Sequence, residues 1–403
     1  MKASLLLSLL LVSFNLPANE NNSSLNGYLS DLKKKQFDYD YDKNEEQSSM
    51  LRDSWIAPLQ LNYSYSRSNP YDKEQITQNA AIKMTQPIFQ SGGIYYGIRY
   101  ANAMRLYNNY TIDVAKRKMI KDTVSILMQL KKADLQEKRQ VLQIENADIN
   151  LEQKKEEYLS GRLDSGFLDD AIIQRNLVKQ ALFDIQNSKE KLVAQFQVLS
   201  DLDYAQASIP HLELISQKEF LQSNIVLKQT QSQIEKDRYY KNVTIAKYLP
   251  KVNFTAGYNW QKSEKQLFSQ VDGERDYYDY GVSASMPLDI NMFNDIQSVK
   301  LDYLKSQVVQ EDKKRELNKL FEQVFRNIDN LDKKIDLSKK NKELYAKLLE
   351  DTQALYDAGY KTEYDVKNLQ NSLEIQQLDT KIYEIDKQIE LLTLYEMYVN
   401  GGE

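Results

Sequence analysis

Two stretches of the chain, YLSGRLDSGFLDD and LYDAGYKTEYDV, set a tyrosine three residues ahead of a glycine and an aspartate soon after. These are Tyr158, Gly161 and Asp169 in the first, and Tyr356, Gly359 and Asp365 in the second. A glycine in that place ends a helix, because it enters the left-handed region without a Cβ clash. The aspartate then stands at the start of a returning helix, where free amide groups favour a carboxylate. This is capping and recognition chemistry, not bond-making chemistry. Elsewhere the chain offers no G-x-x-x-x-G-K-[ST] phosphate loop, no H-E-x-x-H pair and no Ser/His/Asp grouping. It has no cysteine, which removes disulfides, thiolate zinc sites and cysteine nucleophiles, and its single histidine, His211, belongs to no cluster. An enzyme, a bound metal and a cofactor are therefore not expected.

The elements that hold these turns are long. The runs from about Ile94 to Tyr158 and from Met292 to Tyr356 hold no proline and little glycine. At about 1.5 Å per residue, each forms a rod close to 100 Å long. Each turn then sends the chain back as a second helix, one from about Ala171 past Leu199 and the other running to about Leu392. Leu317, Phe321, Val324, Ile328, Leu331 and Ile335 step by four and three, as do Ile375, Leu378, Ile382, Ile385, Ile389 and Leu392. That is the spacing of a coiled-coil seam. Val178, Leu182, Ile185, Leu192, Phe196 and Leu199 repeat it with one polar place at Lys189. Stretches such as KKADLQEKRQ and EDKKRELNKL keep the opposite faces wet. The first returning helix is expected to break near DYAQASIPH at Pro210, and a further helix from about Lys218 to Lys247 leads onward.

Between the helices the period falls to two. Leu59, Leu61, Tyr63 and Tyr65 alternate with polar residues, and Ile82 and Met84 follow beyond SNPYDKEQITQN. Val252, Phe254, Ala256, Tyr258 and Trp260 do the same, as do Tyr280, Val282, Ala284 and Met286. These patterns predict two hairpins of strands with one apolar and one small polar face, suited to lipid on one side and water on the other. Four strands cannot close around a channel, and an open edge in lipid leaves backbone groups unpaired. Three chains would supply twelve strands.

Pro58 and Pro250, Pro87 and Pro287, and Tyr158 and Tyr356 lie 192, 200 and 198 residues apart. These offsets predict two copies of one unit. The expected organisation is a signal peptide at 1–20, a short lead-in at 21–57, a first hairpin-plus-helices repeat at 58–247, a second at 248–400 and a tail at 401–403. The signal reading rests on Lys2, the apolar stretch Leu5 to Leu16, and Pro17 with Ala18.

This ordered set of segments resembles the outer-membrane efflux protein family, the TolC-like channels of Gram-negative bacteria, from about Trp55 to Tyr395. PLQLNYSYSR with MTQPIFQSGG, and LPKVNFTAGYNW with ASMPLDINMF, resemble its strand hairpins, and YLSG and YDAG resemble its helical tips. The resemblance implies a mixed α/β fold: a transmembrane antiparallel β-barrel shared by three protomers of a homotrimer, continuing into a long antiparallel α-helical coiled-coil barrel, internally duplicated. It implies passive conduction in the bacterial outer membrane and periplasm, with a periplasmic adaptor and an inner-membrane pump or ABC exporter as partners. It places the adaptor-binding tips at Tyr158, Gly161, Asp164, Tyr356, Gly359 and Thr362, and a gate at Asp365 and Lys361. A second acidic position found in some members is Asn368 here, which thins the acidic ring. Tyr63, Tyr65, Tyr258, Trp260, Tyr278 and Tyr280, read as lying near strand ends, are the expected girdle at the lipid headgroups.

Charge bounds the remaining possibilities. With 53 Lys and Arg against 58 Asp and Glu, the formal charge is −5, and there is no basic stripe to neutralise phosphates, so nucleic acid is not an expected partner. The rival readings are an outer-membrane channel for type I protein secretion, and an exported structural coiled coil of the envelope or of an adhesin, which would leave the aromatic hairpins without a purpose.

Overall fold

The structure is a computed structural model that describes residues 25–69, 74–264 and 273–399. The expected signal peptide, the tail and the outer parts of both hairpin loops lie outside the described residues. After a short 3-10 turn, α1 (Asp31–Arg52) leads to β1 (Gln60–Ser68) and β2 (Gln75–Phe89). The rod α2 (Gly93–Leu159) follows and returns as α3 (Ser165–Leu199). Then come α4 (Gln217–Gln222), α5 (Ile225–Lys247), β3 (Lys251–Glu264), β4 (Gly273–Ser285), α6 (Met292–Asp357) and α7 (Glu363–Tyr395). The two rods begin and end within a residue of the expected runs, Ile94 to Tyr158 and Met292 to Tyr356.

The strands form one antiparallel sheet in the order β1-β2-β3-β4. Its two edges are therefore the first strand and the last. Toward the tips the helices pack in the order α3, α2, α7, α6; nearer the sheet, α2 packs against α1 and α5, and α5 against α6. Each layer thus runs from an early element to a late one: β1, α1 and α3 bound one side of the chain, and β4 and α6 bound the other.

The core lies at mid-height of the long helices. Ile120, Val124, Leu127, Met128 and Leu130 of α2 meet Phe196, Phe220, Leu317, Phe321, Val324, Ile328, Leu391, Leu392 and Leu394. Burying each such side chain contributes about 1.5–3 kcal/mol. The heptad positions of α6 are the buried ones, with Leu331 half-buried. Lys189, the polar place in the α3 seam, is held by Asp134 at 2.7 Å and Glu137 at 3.0 Å. The acids hold the Lys189 pKa above the ordinary lysine value, while hydrogen bonds from Gln186 and Lys189 lower that of Glu137.

Three boundaries differ from expectation. Helix α3 ends at Leu199, where Ser200 turns extended, and does not run on to a break near Pro210. The helix expected from Lys218 to Lys247 is broken at Ser223 and Asn224. Asn224 caps α5 by accepting from the amides of Val226 and Leu227, and the chain's last described residues pair beside it. The Ile225 amide donates to the Met397 carbonyl at 2.9 Å, and that of Val399 to Ser223 at 3.0 Å. The returning helix α3 starts at Ser165, earlier than Ala171, because Asp164 and not Asp169 is its cap.

Candidate functional site: the sheet faces and the helical tips

Directly paired residues lie on the same face of a sheet, so the register assigns the faces. Leu61 pairs with Ile82, Ile82 with Tyr258 and Tyr258 with Tyr278, giving an apolar row across all four strands. The next rows on that face are Met84, Ala256 and Tyr280, then Gln86, Phe254 and Val282. Toward the loops come Tyr63, Ala80, Trp260 and Asp276, then Tyr65, Gln78, Lys262 and Glu274. Along β3 this face is therefore apolar from Val252 to Trp260, with Gln86 among its rows, and charge begins at Asp276 in the Trp260 row. That span of β3 is about 26 Å of strand, or roughly 20 Å of height at the tilt of a transmembrane barrel, close to the apolar band such barrels carry.

All six expected girdle residues stand on this face. Trp260 donates its indole N–H to Glu274 at 2.7 Å, and Tyr258 its hydroxyl to Asp276 at 2.6 Å. Trp260, Tyr63 and Tyr65 lie where the apolar rows give way to charged ones. Tyr258 lies instead in the middle of β3, directly opposite Tyr278, and Tyr278 and Tyr280 lie in the middle of β4, each 75% exposed, with rings stacked 6.4 Å apart. The opposite face is mainly polar: Asn62, Ala81, Asn259 and Tyr277 in one row, and Ser64, Asn79, Gln261 and Arg275 in the next. No helix of the described residues is long and apolar enough to cross a membrane.

At the far end, both tips are built alike. Gly161 (φ 73) and Gly359 (φ 80) take the left-handed conformation. The Arg162 amide donates to the Glu157 carbonyl and that of Gly161 to Tyr158; Tyr360 donates to Leu355 and Gly359 to Tyr356. This double closure is the Schellman ending, and it places Tyr158 and Tyr356 in the last turn of their rods. Asp164 accepts from the Gly166 amide at 2.9 Å.

Thr362 and Asp365 form a reciprocal capping box at the start of α7. The backbone hydrogen bond from Thr362, helped by its hydroxyl and by Lys361, holds the Asp365 carboxyl below the usual carboxylate range. Lys361 stands 4.0 Å from this same carboxylate. Within one chain, then, the two residues expected to form a gate face each other.

The sequence reading missed a polar ladder between α2 and α7. Lys132 meets Asp386 at 2.6 Å and Arg139 meets Asp379 at 2.9 Å, seven residues further along each antiparallel helix. Asn371 donates to Glu145 at 3.1 Å and Asn146 at 2.9 Å, and Tyr364 to Glu156 at 3.5 Å. The heptad spacing of these charges is visible in the sequence, but the facing of the two helices is not. His211 lines a cavity of about 840 Å³ at the mid-height junction with Arg117 and Glu396. No group of residues suited to a metal occurs among the described residues.

Residues 217–398 match the family described as outer membrane efflux protein. No curated protein matches the chain. Among solved structures, the Campylobacter jejuni CmeC outer membrane channel superposes with a TM-score of 0.73 at 14% identity, covering 94% of this chain and 86% of that one. The outer membrane protein VceC of Vibrio cholerae gives 0.67 at 15%, covering 91% and 93%. The open state of the Neisseria gonorrhoeae MtrE outer membrane channel gives 0.63 at 14%, covering 94% and 87%. Residues 217–398 are thus similar to an outer membrane efflux protein domain, within a chain that has the fold of these solved outer-membrane channels along nearly its whole length.

Proposed function

We propose that the chain is one protomer of a homotrimeric outer-membrane channel, the outer part of a tripartite efflux system. The observation that carries this reading is the sheet: four strands, apolar on one face and polar on the other, with both edges open. In lipid each unpaired backbone group costs several kcal/mol, so β4 of one copy must pair with β1 of the next until the ring closes. The helices favour the same joint. On one side α3 exposes Ile173, Leu177 and Phe183; on the other α6 exposes Leu337, Leu344 and Leu348. Three copies give a twelve-stranded barrel above a helical tunnel, and the internal duplication is what makes each copy span one third of the ring.

Conduction is passive, with energy from an inner-membrane pump reached through a periplasmic adaptor. The tips around Tyr158, Gly161, Asp164, Tyr356, Gly359 and Thr362 present the adaptor surface, and Asp365 with Lys361 narrows the opening between α7 copies. Adaptor binding need only favour the splayed arrangement of α6 and α7. The family description favours efflux over protein secretion.

The deciding experiment is single-channel conductance of the detergent-extracted protein in a planar bilayer, with its oligomer mass measured alongside. A trimer with small conductance that rises on Asp365→Ala supports a gated tunnel. A water-soluble monomer without conductance overturns the reading and leaves an envelope coiled coil.

A further inference from the structure

The two faces of the sheet differ in charge as well as polarity. Within β1–β4 the polar face carries Lys83, Lys251 and Arg275 against a single acid, Asp279, although the chain as a whole is acidic. Lys83 is the central one. Its cross-strand partners are Gln60 and Gly257, and its neighbours on that face are Asn62, Ala81, Thr85, Thr255 and Asn259, all uncharged. Its side chain has no hydrogen bond or ion pair among the described residues. Because β2 is an inner strand, no second copy can bring an acid directly beside it.

Asp279 is the nearest acid on the face, two strands away in the same row. Its carboxylate lies over Gly257, where an added Cβ would stand 2.8 Å from Oδ1. Asn259 donates to that oxygen and ties it to β3. The acid is thus drawn flat against the wall, while the lysine beyond the same glycine stands free.

We propose that Lys83 makes the barrel lumen locally attractive to anions, so that this section favours anionic over cationic cargo, with Asp279 moderating the effect. Rings of lysine or arginine act in this way in anion-conducting pores. The inference rests on the reading that the polar face lines the lumen.

Since the chain has no cysteine, a single introduced thiol reports the local potential. In proteoliposomes of the full chain carrying Thr85→Cys, the reaction rates of a sulfonate-bearing and a trimethylammonium-bearing methanethiosulfonate are compared. Adding Lys83→Gln should lower the anionic-to-cationic rate ratio roughly five- to tenfold, as one unit charge about 7 Å away in water acts oppositely on the two reagents. Lys83→Arg should leave the ratio intact, and Asp279→Asn should raise it. An unchanged ratio in Lys83→Gln overturns the proposal while the channel reading stands. A control separates the two failures: if Met84→Cys reacts with both reagents and Thr85→Cys with neither, the face assignment itself is wrong, and the proposal falls with it.

Discussion

Arg139 of α2 reaches Asp379 of α7 at 2.9 Å, and seven residues along each helix Lys132 reaches Asp386 at 2.6 Å. The large apolar core stops at about this level, and along the roughly 40 Å of rod from Lys132 to the tip these polar contacts, with those of Asn371 and Tyr364, link α2 to α7.

Asp379→Ala should therefore loosen α7 from α2. Both side chains are partly buried and the Arg139 Nε already lacks a partner, so leaving the guanidinium alone costs about 1–2 kcal/mol. Thermal unfolding followed by circular dichroism should fall accordingly, and conductance should rise. A variant with unchanged stability and conductance would show that the ladder does not hold the tips.

The capping box makes the start of α7 sensitive to acid. The folded pKa of Asp365 is depressed, so its stabilisation is present above the unfolded value of about 3.9 and is lost as pH falls through the folded value. The protection of first-turn α7 amides against exchange, relative to the intrinsic rate at each pH, should fall below about pH 4. Asp365→Asn should remove that dependence, and Thr362→Ala should cost about 1 kcal/mol at neutral pH.

Gly161→Ala and Gly359→Ala meet open space, with nothing within 4 Å of the added methyl, so their cost is backbone strain alone. Each should destabilise by about 1–2 kcal/mol in equilibrium unfolding. Gly97→Ala, also in open space but in helical backbone, should be neutral or stabilising.

The two sheet faces predict opposite tolerance of charge. Ala256→Lys, on the apolar face, should cost about 2–4 kcal/mol of membrane insertion, whereas Thr255→Lys, one residue away, should insert normally. The yield of protein in the outer-membrane fraction measures both. Equal yields would contradict the face assignment.

The sequence by itself determined the elements. The rods Gly93–Leu159 and Met292–Asp357, the turns at Gly161 and Gly359, the period-two strands and the seam of α6 were all legible, because each depends on a local pattern of apolar spacing and backbone freedom. Tertiary structure decided what those elements face. Arg139 and Asp379 are 240 residues apart in sequence, and Lys132 and Asp386 are 254 apart, so their meeting depends on the rotation and register of two helices. The break at Asn224 required the far end of the chain to pair there, and the isolation of Lys83 required the alignment of three strands. A local period tells which side of an element is apolar, but a polar side chain acquires its role only from the partner that folding brings beside it.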